Sequence, residues 1–145
     1  MGSLVSIRPA HTNELEAVNY LLTSEGFDTI ESLEGVHVAA NEDDELVGFI
    51  RIAICDDGWA YIYPVVVYET WRAFGVGRSL VRHAMETYGS LKLVSRGWVN
   101  TFYDSLGFVK ADWNEIDESI ARDCDDCEMY GECHPQPYRF ERGSR

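Results

Sequence analysis

The sequence has 145 residues, with 12 Lys+Arg against 25 Asp+Glu, a formal net charge of -13, 46% hydrophobic residues and four cysteines. That length suits one domain able to bury roughly 70% of its unfolded surface, and the apolar fraction excludes wholesale disorder. No apolar run approaches the roughly 18 residues of a membrane-spanning helix. The opening residues do not read as a secretory signal, and so acidic a chain repels nucleic acid and anionic membranes, so a cytoplasmic protein is expected.

Met1-Gly2 with Ser6 fits the loose myristoylation pattern, but Leu4 to Arg8 reads better as a first strand, ended by Pro9. Asn13, with Glu16 three residues on, has the spacing of a capping box. Leu15, Val18, Leu21 and Leu22 then fall on one helical face, and Gly26 closes the helix. Val36 to Ala40 is extended, Asn41 to Asp44 is a polar turn, and Leu46 to Cys55 is β-rich. Asp57-Gly58 is a hairpin signal, followed by a partner strand from Trp59 to Val67. Pro64 has no N–H for a ladder and is expected to interrupt that strand with a bulge or a break. After Arg72-Ala73-Phe74-Gly75-Val76-Gly77 comes an amphipathic helix with Val76, Leu80, Val81, Ala84, Met85 and Tyr88 on its apolar side and Gly89 as its stop. Leu91 to Ser95 reads as a strand, Val99 to Leu106 as a short helix ended by Gly107, and Phe108 to Ala111 as a last strand. The order β-α-β-β-β-α-β-α-β predicts a mixed α/β layer architecture in one domain, 1–145. Its core covers about 4–113, and 114–145 is an acidic, cysteine-rich tail.

Charge is unevenly placed. Between Thr70 and Tyr103 the only acid is Glu86, against Arg72, Arg78, Arg82, Lys92 and Arg96, which suggests an anionic ligand held in that stretch. The two glycines flanking Val76 at the start of a helix give that suggestion a geometry. Without Cβ atoms the backbone comes close to a ligand, and the first-turn N–H groups with the helix dipole make an anion site. Arg72 and Arg78 add full charges suited to phosphate. A Walker-type loop would need Gly-Lys-Ser/Thr, which is absent, and a dinucleotide fingerprint would need a third glycine. The alternative is a tight strand-to-helix turn that happens to be rich in glycine.

The run Val67-Tyr68-Glu69-Thr70-Trp71-Arg72-Ala73-Phe74-Gly75-Val76-Gly77 resembles the acetyl-CoA loop of the GNAT superfamily of N-acetyltransferases, Arg/Gln-x-x-Gly-x-Gly/Ala. Phe102-Tyr103-Asp104-Ser105-Leu106-Gly107-Phe108 is similar to the second signature of that family. The resemblance implies a central, mostly antiparallel sheet with helices on both faces and a splayed pair of strands. It implies that main-chain N–H groups of Ala73, Phe74, Gly75, Val76, Gly77 and Arg78, with Arg72, hold the coenzyme pyrophosphate. Val65, Val66 and Val67 would present main-chain groups to the pantetheine arm, one of them polarising the thioester carbonyl. Tyr103 matches the proton donor to the departing thiolate, a role suited to a phenol with an ordinary pKa near 10. The family often carries an Asn seven residues before this Tyr; here that position is Arg96 and the nearest Asn is Asn100. For the base that deprotonates the amine, position alone points to Glu69, Tyr61, Tyr63 and His37, with Glu69 preferred.

Cys124-x-x-Cys127-x5-Cys133-His134 offers three thiols and an imidazole to a zinc ion, with Cys55 as an alternative fourth ligand. A regulatory dithiol, or thiols that only pack the tail, are the competing readings. The same cysteine spacing after such a core looks like short N-acetylglutamate-synthase-like proteins, which hints at an amino acid as acceptor. Ten Arg, two Lys and many acids resemble the composition of cytoplasmic proteins from salt-loving microbes. The expected activity is transfer of acetyl from acetyl-CoA to a primary amine of a small molecule or amino acid. A protein or peptide amine, or a non-catalytic acyl-CoA- or metal-responsive binding module, are the alternatives. The anionic surface favours a cationic acceptor, and a homodimer is expected by analogy with the family.

Overall fold

The structure is a computed structural model that describes residues 5–125 and 134–142. Its elements are β1 (Ser6–Pro9), α1 (Leu15–Ser24), β2 (Val36–Ala40), β3 (Leu46–Ile54), β4 (Ala60–Val67), α2 (Val76–Tyr88), β5 (Ser90–Ser95), α3 (Asn100–Ser105), β6 (Val109–Lys110), α4 (Glu118–Asp125) and β7 (Gln136–Glu141). The strands form a mixed, mostly antiparallel seven-stranded sheet in the order β1-β2-β3-β4-β5-β7-β6. The chain divides into two compact units, residues 1–52 with 63–84, and residues 53–62 with 85–145.

In the first unit, β1 pairs antiparallel with β2, and β2 with β3, whose register shifts between Ala39 and Ala40. The 3.6-residue period of α1 puts Val18, Leu21 and Leu22 on one face. They are buried with Val36, Val38, Phe49 and Val66, and Phe27, Ile30, Leu33 and Tyr68 pack around them. Gly26 closes α1 as the sequence suggests. Phe27 N–H donates to Leu22 O (2.9 Å) and Gly26 N–H to Thr23 O (3.1 Å), the paired bonds of a Schellman ending. The start of α1 differs from the expectation at Asn13. The chain enters through a 3-10 turn, Thr12–Glu14, and His11 N–H donates to Glu14 Oε1 at 2.7 Å, so the carboxylate that closes the turn is Glu14 and not Glu16. Glu14 is available because Arg8 grips it from β1, at 2.8 and 2.9 Å.

In the second unit, Tyr61 of β4 pairs in parallel with Lys92 of β5, β5 runs antiparallel to β7, and β7 antiparallel to β6. Leu91, Leu93, Tyr103, Leu106, Phe108, Ala111, Ile116, Ile120 and Tyr138 are buried. Tyr103 stacks edge-on with Phe102 and Phe108, and Phe108 lies 5.4 Å from Phe140.

Two expectations are corrected. β4 is continuous through Pro64, with Tyr63-Pro64 in the cis form, so of the bulge or break expected there the break does not occur. Proline's fixed φ is compatible with extended backbone, and the missing N–H interrupts a ladder only where a neighbouring carbonyl needs it. The segment after Trp113 also contributes to the sheet. It contains α4, and β7 lies between β5 and β6, with Tyr138 fully buried. The last expected strand, Phe108 to Ala111, shortens to the two residues of β6.

Candidate functional site

The glycine loop lies in the first unit. Tyr68 N–H donates to Val47 O (2.9 Å), which ends β4, and Trp71 N–H to Tyr68 O (2.8 Å), which opens a 3-10 turn over Glu69–Phe74. Gly75 then takes a left-handed conformation (φ 74°, ψ 16°), where a Cβ would meet nothing within 4 Å, so the requirement for glycine is conformational and not one of space. The first bond of α2 runs from Ser79 N–H to Gly75 O at 3.0 Å. The amides of Val76 and Gly77 therefore precede the helical ladder, at the positive end of a 13-residue helix. This is the geometry that accepts a phosphate. Phe74 stands 57% exposed beside Trp71, ring centroids 5.7 Å apart.

The cationic stretch is less free than its sequence suggests. Arg72 donates through Nε to Val67 O (3.1 Å) and through Nη2 to Glu25 Oε2 (2.8 Å), tying the end of β4 to the end of α1. Lys92, in the second unit, is 6% exposed. Its ammonium lies 3.6 Å from Asp57 Oδ2 and 4.4 Å from the Trp59 ring centroid, and it donates to Glu115 O. Arg72 was expected to face a ligand and Lys92 was counted in the cationic stretch, and both face carboxylates of the chain itself. The partner of Arg72 is 47 residues away and that of Lys92 is 35 residues away, so no local pattern announces either pairing.

The second signature lies in the second unit. Tyr103, on α3, is 6% exposed and enclosed by the Phe102, Phe108 and Tyr138 rings. Burial holds its phenol well above the usual tyrosine pKa. Asn100 opens the same helix, and its Oδ1 is buried without a hydrogen-bond partner among the described residues. A buried acceptor in that condition favours an incoming N–H. Tyr138 donates to Asp104 Oδ1 at 2.8 Å, and burial together with that carboxylate pushes its own pKa up to about 12.

The base candidates separate by environment. Glu69 is exposed at the start of its 3-10 turn. Tyr61 is fully buried; its hydroxyl donates to Asp57 Oδ2 (2.6 Å) and accepts from Asp117 N–H (2.7 Å), a structural bridge whose pKa burial drives upward. The Tyr63 carbonyl accepts a bond from Arg51 Nη1 at 3.1 Å, and its ring lies 5.7 Å from that guanidinium. His37 sits 4.9 Å, ring to ring, from His83, and burial followed by the neighbouring imidazole lowers its pKa.

Of the expected zinc ligands, Cys127 and Cys133 lie outside the described residues, as does the side chain of Cys124. His134 is exposed, and Cys55 is half-buried, with its thiol pKa raised by burial and then by Asp117. Among the described residues no group of three or more His, Cys, Asp or Glu is placed to hold a metal ion. No helix among them is long and apolar enough to cross a membrane.

A family model described as the acetyltransferase (GNAT) family matches residues 7–108. Among solved structures, N-acetylglutamate synthase from Neisseria gonorrhoeae, complexed with coenzyme A and N-acetyl-glutamate, is similar with a TM-score of 0.78 at 17% identity. That match covers 100% of this chain but 36% of the synthase, so the chain spans about a third of its length. Ard1 from Thermoplasma volcanium is similar with a TM-score of 0.70 at 18% identity, covering 97% of this chain and 99% of that one. Arabidopsis thaliana Naa50, in complex with the bisubstrate analogue CoA-Ac-MVNAL, gives 0.66 at 18% identity over 95% and 99%. No curated protein matches. At these identities the structural likeness is one of fold.

Proposed function

The chain belongs to the GNAT family of acetyltransferases, and on that premise we propose that it transfers the acetyl group of acetyl-CoA to a primary amine of a small molecule or amino acid. The observation that carries this reading is the left-handed Gly75 leading into α2, with the amides of Val76 and Gly77 ahead of the first helical bond. These amides, with those of Ala73, Phe74, Gly75 and Arg78, hold the pyrophosphate; Arg72 reaches it by exchanging Glu25 for phosphate. Val65, Val66 and Val67 offer main-chain groups to the pantetheine arm, although the Val67 carbonyl already accepts from Arg72. One N–H of that stretch stabilises the oxyanion as the amine attacks. The C–N bond forms, the C–S bond breaks, and Tyr103, a phenol that is neutral at pH 7, supplies a proton to the thiolate. Asn100 Oδ1 receives an N–H of the coenzyme arm, and Glu69 takes the proton of the attacking ammonium, directly or through water.

A peptide amine is the second reading. The match to Naa50, whose bound analogue joins coenzyme A to a peptide, spans nearly all of both chains. The test is acetyl-CoA-dependent thiol release over a panel of amines, amino acids and peptides. Tyr103→Phe is expected to lower kcat by about 10²-fold or more while leaving coenzyme A affinity within about threefold. Thiol release from no acceptor, with coenzyme A binding intact, would leave a binding module. Absence of both would end the reading.

A further inference from the structure

Three of the half-buried or buried cations are matched by carboxylates: Arg8 by Glu14, Lys92 by Asp57 and Arg139 by Glu115. Arg51 departs from that pattern. It sits half-buried on β3, opposite Val36 of β2, and among the described residues no carboxylate lies within 4.0 Å of it, in a chain with 25 acids. A partly desolvated guanidinium without an opposite charge is unfavourable unless something else orients and neutralises it. Orientation comes from Tyr63, whose carbonyl takes one Nη1 proton at 3.1 Å and whose ring lies 5.7 Å from the guanidinium carbon. Arg has five N–H donors in a planar fork, and this contact occupies one of them.

We propose that Arg51, held by Tyr63, binds the carboxylate of the acetyl acceptor, so that the acceptor is an amino acid and not a simple amine or polyamine. The inference rests on the acetyltransferase reading and names the substrate class of that same site. Val65 lies two residues beyond Tyr63 on β4. At about 3.3 Å per residue this is roughly 7 Å along the strand. An amino acid spans that distance with its carboxylate in the guanidinium fork and its amine directed at the thioester that Val65, Val66 and Val67 are proposed to hold. A carboxylate accepts two parallel N–H bonds from Arg, whereas a carboxamide of the same shape loses the charge. The chain's overall charge favours a cationic acceptor at long range; Arg51 reverses that preference at contact distance.

The experiment compares amino acids with their carboxamides in two readouts on the full chain. The first is kcat/KM for thiol release. The second is calorimetric titration of N-acetyl amino acids and N-acetyl amino acid carboxamides in the presence of coenzyme A. The wild type is expected to favour the carboxylate by about 10- to 100-fold in both. Arg51→Gln is expected to bring the ratio near one while the KM for acetyl-CoA holds, and Arg51→Lys to retain part of the preference. A wild type without carboxylate preference, or an Arg51→Gln protein that keeps it, overturns the proposal even if thiol release is brisk. Carboxylate-dependent binding that Arg51→Gln abolishes, in a protein with no thiol release, sustains the Arg51 site and overturns the acetyltransferase reading. Absence of both overturns both.

Discussion

Gly35 and Gly75 have nearly the same positive φ, 75° and 74° respectively, but their surroundings differ, and alanine at each separates two kinds of cost. At Gly75 a Cβ meets nothing within 4 Å, so Gly75→Ala carries only the left-handed penalty of about 1–2 kcal/mol. At Gly35 a Cβ would stand 2.2 Å from Ile52 O, a backbone atom that no rotamer change can move. Gly35 O accepts a 2.8 Å bond from the N–H of Ile52, which is 6% exposed, so relieving the clash strains or breaks that bond. A buried N–H left without an acceptor costs about 1–3 kcal/mol, which brings Gly35→Ala to about 2–5 kcal/mol. At about 2–4 °C per kcal/mol for a chain near this size, Tm falls by roughly 4–20 °C for Gly35→Ala and by roughly 2–8 °C for Gly75→Ala. Urea and thermal unfolding read the stability difference, and the KM for acetyl-CoA reads the site. Gly75→Ala is expected to raise that KM by about tenfold through displaced amides, whereas Gly35→Ala leaves it nearly constant in the folded fraction. The reasoning fails if Gly75→Ala destabilises as much as Gly35→Ala, or if Gly35→Ala lies within about 1 kcal/mol of the wild type.

Tyr61→Phe removes both an acceptor for Asp117 N–H and a donor to Asp57, and is expected to cost about 1–3 kcal/mol, measured by the urea midpoint. Glu14 is held below the usual glutamate pKa first of all by its hydrogen bond to Arg8, although its burial opposes this. Its contribution is complete above the unfolded value near 4.5 and is lost as pH falls through the lower folded value. Glu14→Gln is therefore expected to unfold more easily by about 1–3 kcal/mol at pH 7, with the gap to wild type narrowing below about pH 4. A gap that stays constant from pH 7 to pH 3 would refute the ion-pair account.

Most elements of the first unit were legible because their causes are local. The i, i+3, i+4 spacing of Val18, Leu21 and Leu22 fixes a buried helical face, and Gly26 closes α1 with bonds inside five residues. Gly75 was legible for the same reason: a strand, a left-handed residue and a helix start are consecutive in the chain. β7 was not. Pro135 and Pro137 punctuate its beginning, and the ladder that makes it a strand is supplied by β5, whose Val94 pairs with Pro137 and Leu93 with Tyr138. Alternation of Tyr138 and Phe140 was the available signal, too short to outweigh two prolines.

Near the proposed site the same division holds at the level of charge. Residue type and spacing marked Gly75 and Gly77, because a phosphate loop depends on backbone conformation, whereas Tyr103 was marked by resemblance to a family signature. Which cations remain available to a ligand was decided by the tertiary structure. Glu25 takes Arg72 and Asp57 takes Lys92, whereas Tyr63 meets Arg51 with a carbonyl and a ring. A charge is neutralised by whatever lies within a few ångströms in space, and those neighbours are set by sheet register and turn geometry across dozens of residues.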